Sequence, residues 1–308
     1  MFKKKFLPVL LLGIASLGIV SCSDSDDSND QPQNTEVDFT KGEYKQKVLV
    51  EDITSASCMV CPLASFTTEE LAKSEYADKL IPVAIHDDYN IDYVKDPFVL
   101  PKVRDLVRVL KLNGYPFMSW NRNPSIQGQL FQNWLRQGKN DAGETQFFVD
   151  INLFKNFYTK YKLFNEGSPI GIKIESNLAA TSGKVDVSLK FSQNISQELK
   201  YVVYLLEDGL EFKQLNSSPL YGNTTGKARW EENFVHDHVV RATNNFLGDV
   251  IASDQTKSSN EYKNTVNLSY ELKDVSKASV VVAVLDSKGN VLNVQKAKAN
   301  TTQDYEKK

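Results

Sequence analysis

The sequence has few cysteines, no long apolar run after its first 20 residues, and no excess of positive charge. Its 308 residues include three cysteines, Cys22, Cys58 and Cys61, too few for the spread of disulfides that often staples exported domains. No segment beyond residue 21 has the roughly 20 apolar residues needed to span a bilayer. With 36 basic and 39 acidic residues, the chain lacks the clustered positive charge that a nucleic-acid partner requires.

The N-terminus has the pattern of an export signal. Residues 3–5 are lysines and residues 6–20 form an apolar run, a length typical of a signal-peptide core and short for a membrane span. The run ends in Ile19-Val20-Ser21-Cys22, which resembles the bacterial lipobox. This resemblance implies that residues 1–21 are a signal peptide and that Cys22 is the lipidated first residue of the mature protein. The alternative is an ordinary secretory signal that happens to contain a cysteine.

An acidic, polar segment follows Cys22. Residues 23–34 contain no apolar side chain and four aspartates, so we expect residues 22–44 to form a disordered tether. Removing residues 1–21 removes three lysines and leaves 33 basic and 39 acidic residues, a net charge of −6. An acidic run after a lipobox resembles the surface-export signal of Bacteroidetes lipoproteins, which implies a body facing the cell exterior. The alternative is a solvated spacer that faces the periplasm.

The two remaining cysteines form a CxxC pair, Cys58-Met59-Val60-Cys61. A disulfide between them closes a very small loop and adds little chain-entropy stabilisation, which favours a chemical role over an architectural one. A CxxC is also half of a zinc site, but the chain has no second pair. We therefore assign no metal and no cofactor to these thiols.

The residues around the CxxC predict a strand, a turn and a helix. Residues 47–53 have the composition of a buried strand, and residues 63–72 that of a helix, with Pro62 tolerated in its first turn. A further strand is predicted over residues 80–86 and a helix over 101–112. Residues 130–164 are predicted as mainly helical, because their aromatic side chains have a helical spacing.

These features resemble the thioredoxin-like family. In that family a cis-proline packs against the CxxC, and Pro116, in Gly114-Tyr115-Pro116, matches its position. The resemblance implies an α/β thioredoxin-like domain over residues 45–165. A thiol at a helix N-terminus is favoured as thiolate, so Cys58 is predicted as the nucleophile and Cys61 as the resolving thiol. The dipeptide Met59-Val60 and the bulky Tyr115 depart from the usual family pattern, and this leaves open whether the pair is active or passive.

Three histidines need separate interpretation. His86 ends a predicted strand and is interpreted as a partly exposed loop residue, with a proton relay near the thiols as the alternative. His236 and His238 lie two residues apart and would face one side of a strand. We favour a histidine-rich edge that bonds a neighbouring loop over a metal site, because no third ligand is evident.

The second half of the chain predicts short strands. Alternating patterns recur from residue 170 onward, and residues 278–285 and 291–295 flank a glycine-containing turn, which indicates a hairpin. Strands at this spacing predict an all-β, immunoglobulin-like sandwich over residues 166–308. The turn-rich residues 164–169 mark the predicted boundary.

A narrower resemblance joins these features. The lipoprotein signal, the CxxC turn and a C-terminal β-domain containing His236-Asp237-His238-Val239-Val240-Arg241 resemble the Omp28-related outer-membrane lipoproteins of Bacteroidetes. The resemblance implies a lipid-anchored protein of the outer membrane. Two functions stay open: thiol–disulfide exchange with a protein disulfide substrate, and a surface binding or adhesion module whose β-sandwich binds a protein or glycan.

Overall fold

A computed structural model describes residues 37–88, 94–143, 145–223 and 225–308. The predicted signal peptide and Cys22 lie outside these residues. Residues 37–44, predicted as the end of the tether, pack onto the body of the protein. Val37 and Phe39 contact its apolar core, and buried Tyr44 exchanges backbone hydrogen bonds with Ser168 at 3.1 and 2.8 Å.

The described residues form mainly β-structure. The strands are β1 (Val48–Thr54), β2 (Leu80–His86), β3 (Phe117–Trp120), β4 (Gln127–Gly128), β5 (Leu135–Lys139), β6 (Thr145–Val149), β7 (Ile170–Leu178), β8 (Ser182–Phe191), β9 (Leu199–Glu207), β10 (Leu210–Asn216), β11 (Arg229–His236), β12 (Val239–Thr243), β13 (Asp249–Ile251), β14 (Glu261–Ser269), β15 (Ala278–Asp286), β16 (Val291–Lys298) and β17 (Thr302–Gln303). The α-helices are α1 (Cys61–Ala72), α2 (Val103–Val109) and α3 (Ile151–Tyr161), and short 3-10 turns cover Leu130–Asn133, Leu220–Gly222, Ser253–Gln255 and Val275–Lys277. None of the helices in the described ranges has the length and apolar character needed to cross a bilayer.

A mixed sheet of nine strands forms the centre of the protein, in the order β16-β15-β9-β12-β2-β1-β3-β4, with β13 also paired to β9. Strands β1 and β2 are parallel and are joined through α1, whereas β3 runs antiparallel to β1. Because side chains alternate across a strand, Val48 and Val50 pack towards α1 while Leu49 and Ile53 pack on the opposite face.

A second sheet, β14-β8-β7-β17, packs against the part of the central sheet that contains β9 and β15. The apolar core between them takes alternate residues from both sheets, among them Val187 and Val203. The predicted β-sandwich is therefore confirmed as a layered β-structure. The predicted hairpin is β15–β16, and its turn contains Gly289 at φ +90°, a backbone region that favours glycine.

The central sheet runs across the predicted domain boundary at residues 165 and 166. Strand β12 pairs with β2, with Val239 opposite Ala84, and the Ala84 N–H donates to the His238 carbonyl at 2.8 Å. Residues 37–308 form one compact unit. The division into two domains stays a prediction, and the strands of its two parts are joined by backbone hydrogen bonds.

A buried ion pair also links the two halves. The Arg122 guanidinium binds the Glu51 carboxylate at 2.8 Å and donates to the Tyr204 hydroxyl at 2.6 Å and the Phe246 carbonyl at 2.8 Å. Both charged side chains are almost completely buried. Removing one partner would leave an uncompensated charge in the interior.

The prediction of a mainly helical segment over residues 130–164 is wrong for most of the residues before Ile151, where the 3-10 turn Leu130–Asn133 is followed by strands. Strands β5 and β6 form a hairpin with a turn at Gly143, whose φ is +80°, and helix begins only at α3. The Asp150 carboxylate caps α3 by accepting from the backbone N–H of Asn152 at 3.0 Å. Phe154 and Phe157, three residues apart on α3, are buried.

Candidate functional site

The CxxC loop connects β1 to α1 at one end of the central sheet. Cys58 and Cys61 form a disulfide, and Cys61 is the first residue of α1 with Pro62 directly after it. Proline fits this position because the first helical N–H groups have no partner within the helix. The loop itself is tightly turned, since the Cys58 N–H donates to the Ser55 carbonyl at 3.0 Å. The pair therefore lies at the positive end of the helix dipole.

A hairpin from the second half of the chain is hydrogen-bonded to the CxxC loop. We call residues 210–236, which contain the paired strands β10 and β11, the strap. The Leu215 N–H donates to the Ala56 carbonyl and the Ser217 N–H to the Met59 carbonyl, both at 2.8 Å. Cys58 and Cys61 consequently expose only 2% and 1% of their surface.

Gln214 binds the strap to the same loop through its side chain. Its amide Nε2 lies 2.9 Å from the Cys58 carbonyl and 3.2 Å from the Ser55 carbonyl, and the residue is buried. Sequence patterns gave no sign of the strap, because its contacts join residues more than 150 positions apart.

Pro116 precedes β3 at the edge of this site. The Tyr115–Pro116 peptide bond is cis, and Phe117, the next residue, pairs with Ile53 near the end of β1. This pairing places Pro116 at the end of the sheet where the CxxC loop begins. The Tyr115 hydroxyl forms a hydrogen bond with the Asp87 carboxylate, and burial together with that bond raises the pKa of Tyr115.

Asp52 is a buried acid beneath α1. It lies on the face of β1 that packs against the helix, exposes 4% of its surface, and shares a hydrogen bond with the Ser65 side chain. Burial raises its pKa to about 7. Ser65 follows Cys61 by four residues, so Asp52 lies about one helical turn below Cys61. Sequence patterns did not single out this residue, although two adjacent carboxylates, Glu51 and Asp52, within a buried strand were a visible signal.

His86 is buried, so its interpretation as a partly exposed loop residue is wrong. It ends β2, exposes 3% of its surface, and its Nδ1 lies 2.7 Å from the Asp96 carboxylate. Asp96 also accepts from the backbone N–H groups of Ala56 at 2.8 Å and Phe98 at 3.0 Å. Burial alone would raise the pKa of Asp96. The charge of His86, its hydrogen bond, and the hydrogen bonds from the two backbone N–H groups outweigh burial and lower this pKa.

His236 and His238 do not share one side of a strand, because β11 ends at His236 and His238 lies in the following turn at φ +59°. His238 bonds a neighbouring loop through its Nδ1, 3.0 Å from the Asp208 carboxylate. His236 is buried, and its ring centroid lies 5.2 Å from that of His86. Burial, together with the adjacent His86, lowers the pKa of His236 to about 3. Within the described residues no three His, Cys, Asp or Glu side chains are placed to hold a metal ion.

The comparison with protein families identifies the chain. The model of the outer membrane protein Omp28 family matches residues 104–303, which is about two thirds of the sequence. The chain belongs to the Omp28 family. The matched range contains Pro116, the strap and His236 but begins after Cys58 and Cys61, so the CxxC loop of this Omp28 family member lies outside it.

Solved structures add a likeness of fold. HBP35 of Porphyromonas gingivalis matches with a TM-score of 0.56 at 18% identity, over 85% of this chain and 77% of that protein. A β-glucosidase from Kluyveromyces marxianus, solved with glucose, covers 49% of this chain at 13% identity, but its TM-score of 0.20 is too low to indicate a shared fold. No curated protein matches the sequence. The likeness to HBP35 shows the fold of this Omp28 family member and leaves its chemistry to be argued from the site.

Proposed function

We propose that this Omp28 family member is a lipid-anchored protein of the outer membrane that exchanges thiols and disulfides through Cys58 and Cys61, in a thioredoxin-like region over residues 45–165. The observation that carries the proposal is the disulfide at the start of α1, one turn above the buried acid Asp52. A disulfide that closes so small a loop adds little stability to the folded protein, which argues against a purely structural role.

Each residue of the site has a role in this chemistry. Cys58 precedes the first turn of α1, where the helix dipole and free N–H groups favour a thiolate, so it attacks the substrate disulfide. Cys61 then resolves the mixed disulfide. Asp52, with a pKa of about 7, accepts the proton of Cys61, since a base near ambient pH transfers protons most effectively. Pro116 borders the substrate side of the pair.

The strap must move for exchange to occur, because both cysteines are buried and the strap is hydrogen-bonded to the loop that carries them. It occupies the carbonyl groups of Ala56 and Met59 by pairing in the manner of a strand. An extended substrate peptide can bind the same two carbonyl groups by strand addition. The strap therefore competes with substrate, and exchange is slow until a substrate displaces it.

The location follows from the N-terminus. Lipid on Cys22 holds the mature protein at the membrane, and the acidic segment after it separates the folded body from the lipid surface. We place the body at the cell exterior, with the periplasmic face as the alternative. Protease added to whole cells distinguishes the two locations. Digestion of the folded part of the protein in intact cells supports the cell exterior. Digestion only after permeabilisation of the outer membrane supports the periplasm.

A trapping experiment tests the exchange. Reduced Cys61→Ser protein is mixed with a peptide disulfide, and we expect a stable mixed disulfide with Cys58 by mass spectrometry. The matched control, Cys58→Ser, should trap far less because Cys61 is assigned as the resolving thiol. An equal yield from both variants, or none from either, contradicts the assignment.

A second candidate function is a surface binding module with a passive disulfide. The deep burial of Cys58 and Cys61 under the strap favours it. In that case the Cys58→Ser/Cys61→Ser double variant retains the cellular phenotype of the protein. Loss of the phenotype in a folded double variant supports exchange.

A further inference from the structure

A small cavity lies beneath α1. It encloses about 30 Å³ and is lined by residues of β1, β2, α1 and the end of the strap, including Asp52, Ser65, His86 and His236. A space of this size holds one or two water molecules when polar partners surround it. Ser65 connects the cavity to the turn of α1 that begins at Cys61.

Three polar atoms in the cavity wall have no hydrogen-bond partner among the described residues: Asp52 Oδ1, His86 Nε2 and His236 Nε2. Their residues are all more than nine-tenths buried. Each imidazole is fixed through its other side, His86 by Asp96 at 2.7 Å and His236 by a backbone hydrogen bond with Phe212. A buried polar atom without a partner is costly, so three in one small cavity indicate a function for it.

We propose that His86, positioned by Asp96, receives through this cavity the proton that Asp52 takes from Cys61. The proposal rests on the thiol–disulfide exchange proposed above. It makes His86 a positioning and proton-transfer residue of that reaction, with no contact to the substrate.

Cys58 is joined to the substrate in a mixed disulfide, and Cys61 gives its proton to the Asp52 carboxylate. The Cys61 sulfur attacks Cys58 Sγ, so the Cys58–Cys61 bond forms while the bond from Cys58 to the substrate sulfur breaks and the substrate leaves as a thiolate. The substrate disulfide has then taken two electrons from the two protein thiols. Asp52 passes its proton through cavity water to His86 Nε2, and the Asp96 carboxylate stabilises the imidazolium.

The surrounding charges favour His86 over His236 as the acceptor. The low pKa of His236, about 3, keeps that ring neutral near pH 7, and no carboxylate of the described residues is bonded to it. Glu69, Asp237 and His238 also line the cavity. His238 is paired with Asp208, and burial raises the pKa of Glu69.

The test uses the rate of the second step. Reduced full-length protein is mixed with glutathione disulfide in a stopped-flow instrument, and release of glutathione from the mixed disulfide is followed from pH 5.5 to 9. His86→Asn retains a donor near the Nδ1 position but cannot take a proton. We expect this variant to release glutathione about tenfold more slowly near pH 7 and to lose the wild-type pH dependence. Asp208→Asn is the matched control, because it removes the carboxylate of the other histidine–carboxylate pair, 3.0 Å from His238 Nδ1, and Asp208 does not line the cavity; its profile should equal that of the wild type.

The outcomes separate the two proposals. A wild-type protein that forms no mixed disulfide overturns the exchange and the relay together. A wild-type protein that exchanges, with an unchanged pH profile in His86→Asn, overturns the relay alone. Because His86→Asn alters a buried site, a second measurement uses NMR titration of the His86 ring in Asp52→Asn protein. Coupled groups shift one another's titration, so an unshifted His86 midpoint also contradicts the relay.

Discussion

The folded protein is expected to lose stability as the pH falls, because the unfolded chain binds a proton at His236 that the folded protein does not. The folded pKa of His236 is about 3, lowered by burial and by the neighbouring His86 and partly offset by Asp96, whereas an unfolded histidine has a pKa near 6.5. Above pH 6.5 the ring is neutral in both states. Below it, the unfolded chain binds a proton that the folded protein does not, so the free energy of unfolding decreases with decreasing pH until about pH 3.

The magnitude follows from the size of the pKa shift. Each pH unit in this window corresponds to about 1.4 kcal/mol, so lowering the pH from 7.5 to 5.0 should cost roughly 2 kcal/mol at His236. Asp52 acts in the opposite direction, because its raised pKa means that the folded state binds the extra proton. The effect must therefore be measured as a difference between proteins that both retain Asp52.

His236→Phe provides that difference. The ring of His236 packs against the aromatic side chains of Phe98 and Phe234, so phenylalanine suits the site but cannot be protonated. Urea unfolding of wild type and variant at pH 7.5 and 5.0 should show the wild type losing about 2 kcal/mol relative to the variant. A stability difference that is the same at both pH values would refute the assignment of a depressed pKa to His236.

Three further changes have defined outcomes. Gln214→Leu removes the side-chain hydrogen bonds between the strap and the CxxC loop. A water-soluble phosphine should then reduce the Cys58–Cys61 disulfide about tenfold faster than in the wild type. The control Val235→Thr, on the exposed side of the strap, should leave the rate of reduction unchanged. Arg122→Met leaves the buried Glu51 carboxylate without its ion-pair partner, so the free energy of unfolding in urea should fall by about 3–5 kcal/mol. Adding Glu51→Gln should restore part of that loss. Equal stability of the single variant and the wild type would contradict the ion-pair argument. Cys22→Ser should abolish labelling with radioactive palmitate and move the protein from the detergent to the aqueous phase; a variant that still labels would place the lipid elsewhere.

Local patterns predicted the parts of the structure that depend on neighbouring residues. The strand before the CxxC, the helix after it and the β15–β16 hairpin follow from alternation, turn chemistry and the tolerance of Pro62 in a first helical turn. The error at residues 130–150 has the same origin. Aromatic residues such as Phe147 and Phe148 are compatible with either a helical or a strand pattern. In the folded protein, pairing of β5 with β6 places them in a strand.

The candidate site depends on contacts that a single sequence does not contain. His86 and Asp96 are ten positions apart in the sequence and form a hydrogen bond, and the strap contacts the CxxC loop from more than 150 positions away. The pairing of β12 with β2 joins strands that the sequence assigns to different domains. The cysteine pair itself was visible because its rarity in the composition marks it.

The reduction potential of the Cys58–Cys61 disulfide tests the proposed thiol–disulfide exchange most directly. The full-length protein is equilibrated in glutathione buffers of defined ratio, and the fraction of reduced thiols is measured by alkylation and mass spectrometry. Thiol–disulfide exchange predicts a potential between about −120 and −270 mV, the range of known oxidoreductases. A potential below about −300 mV, typical of structural disulfides, would contradict the proposed function.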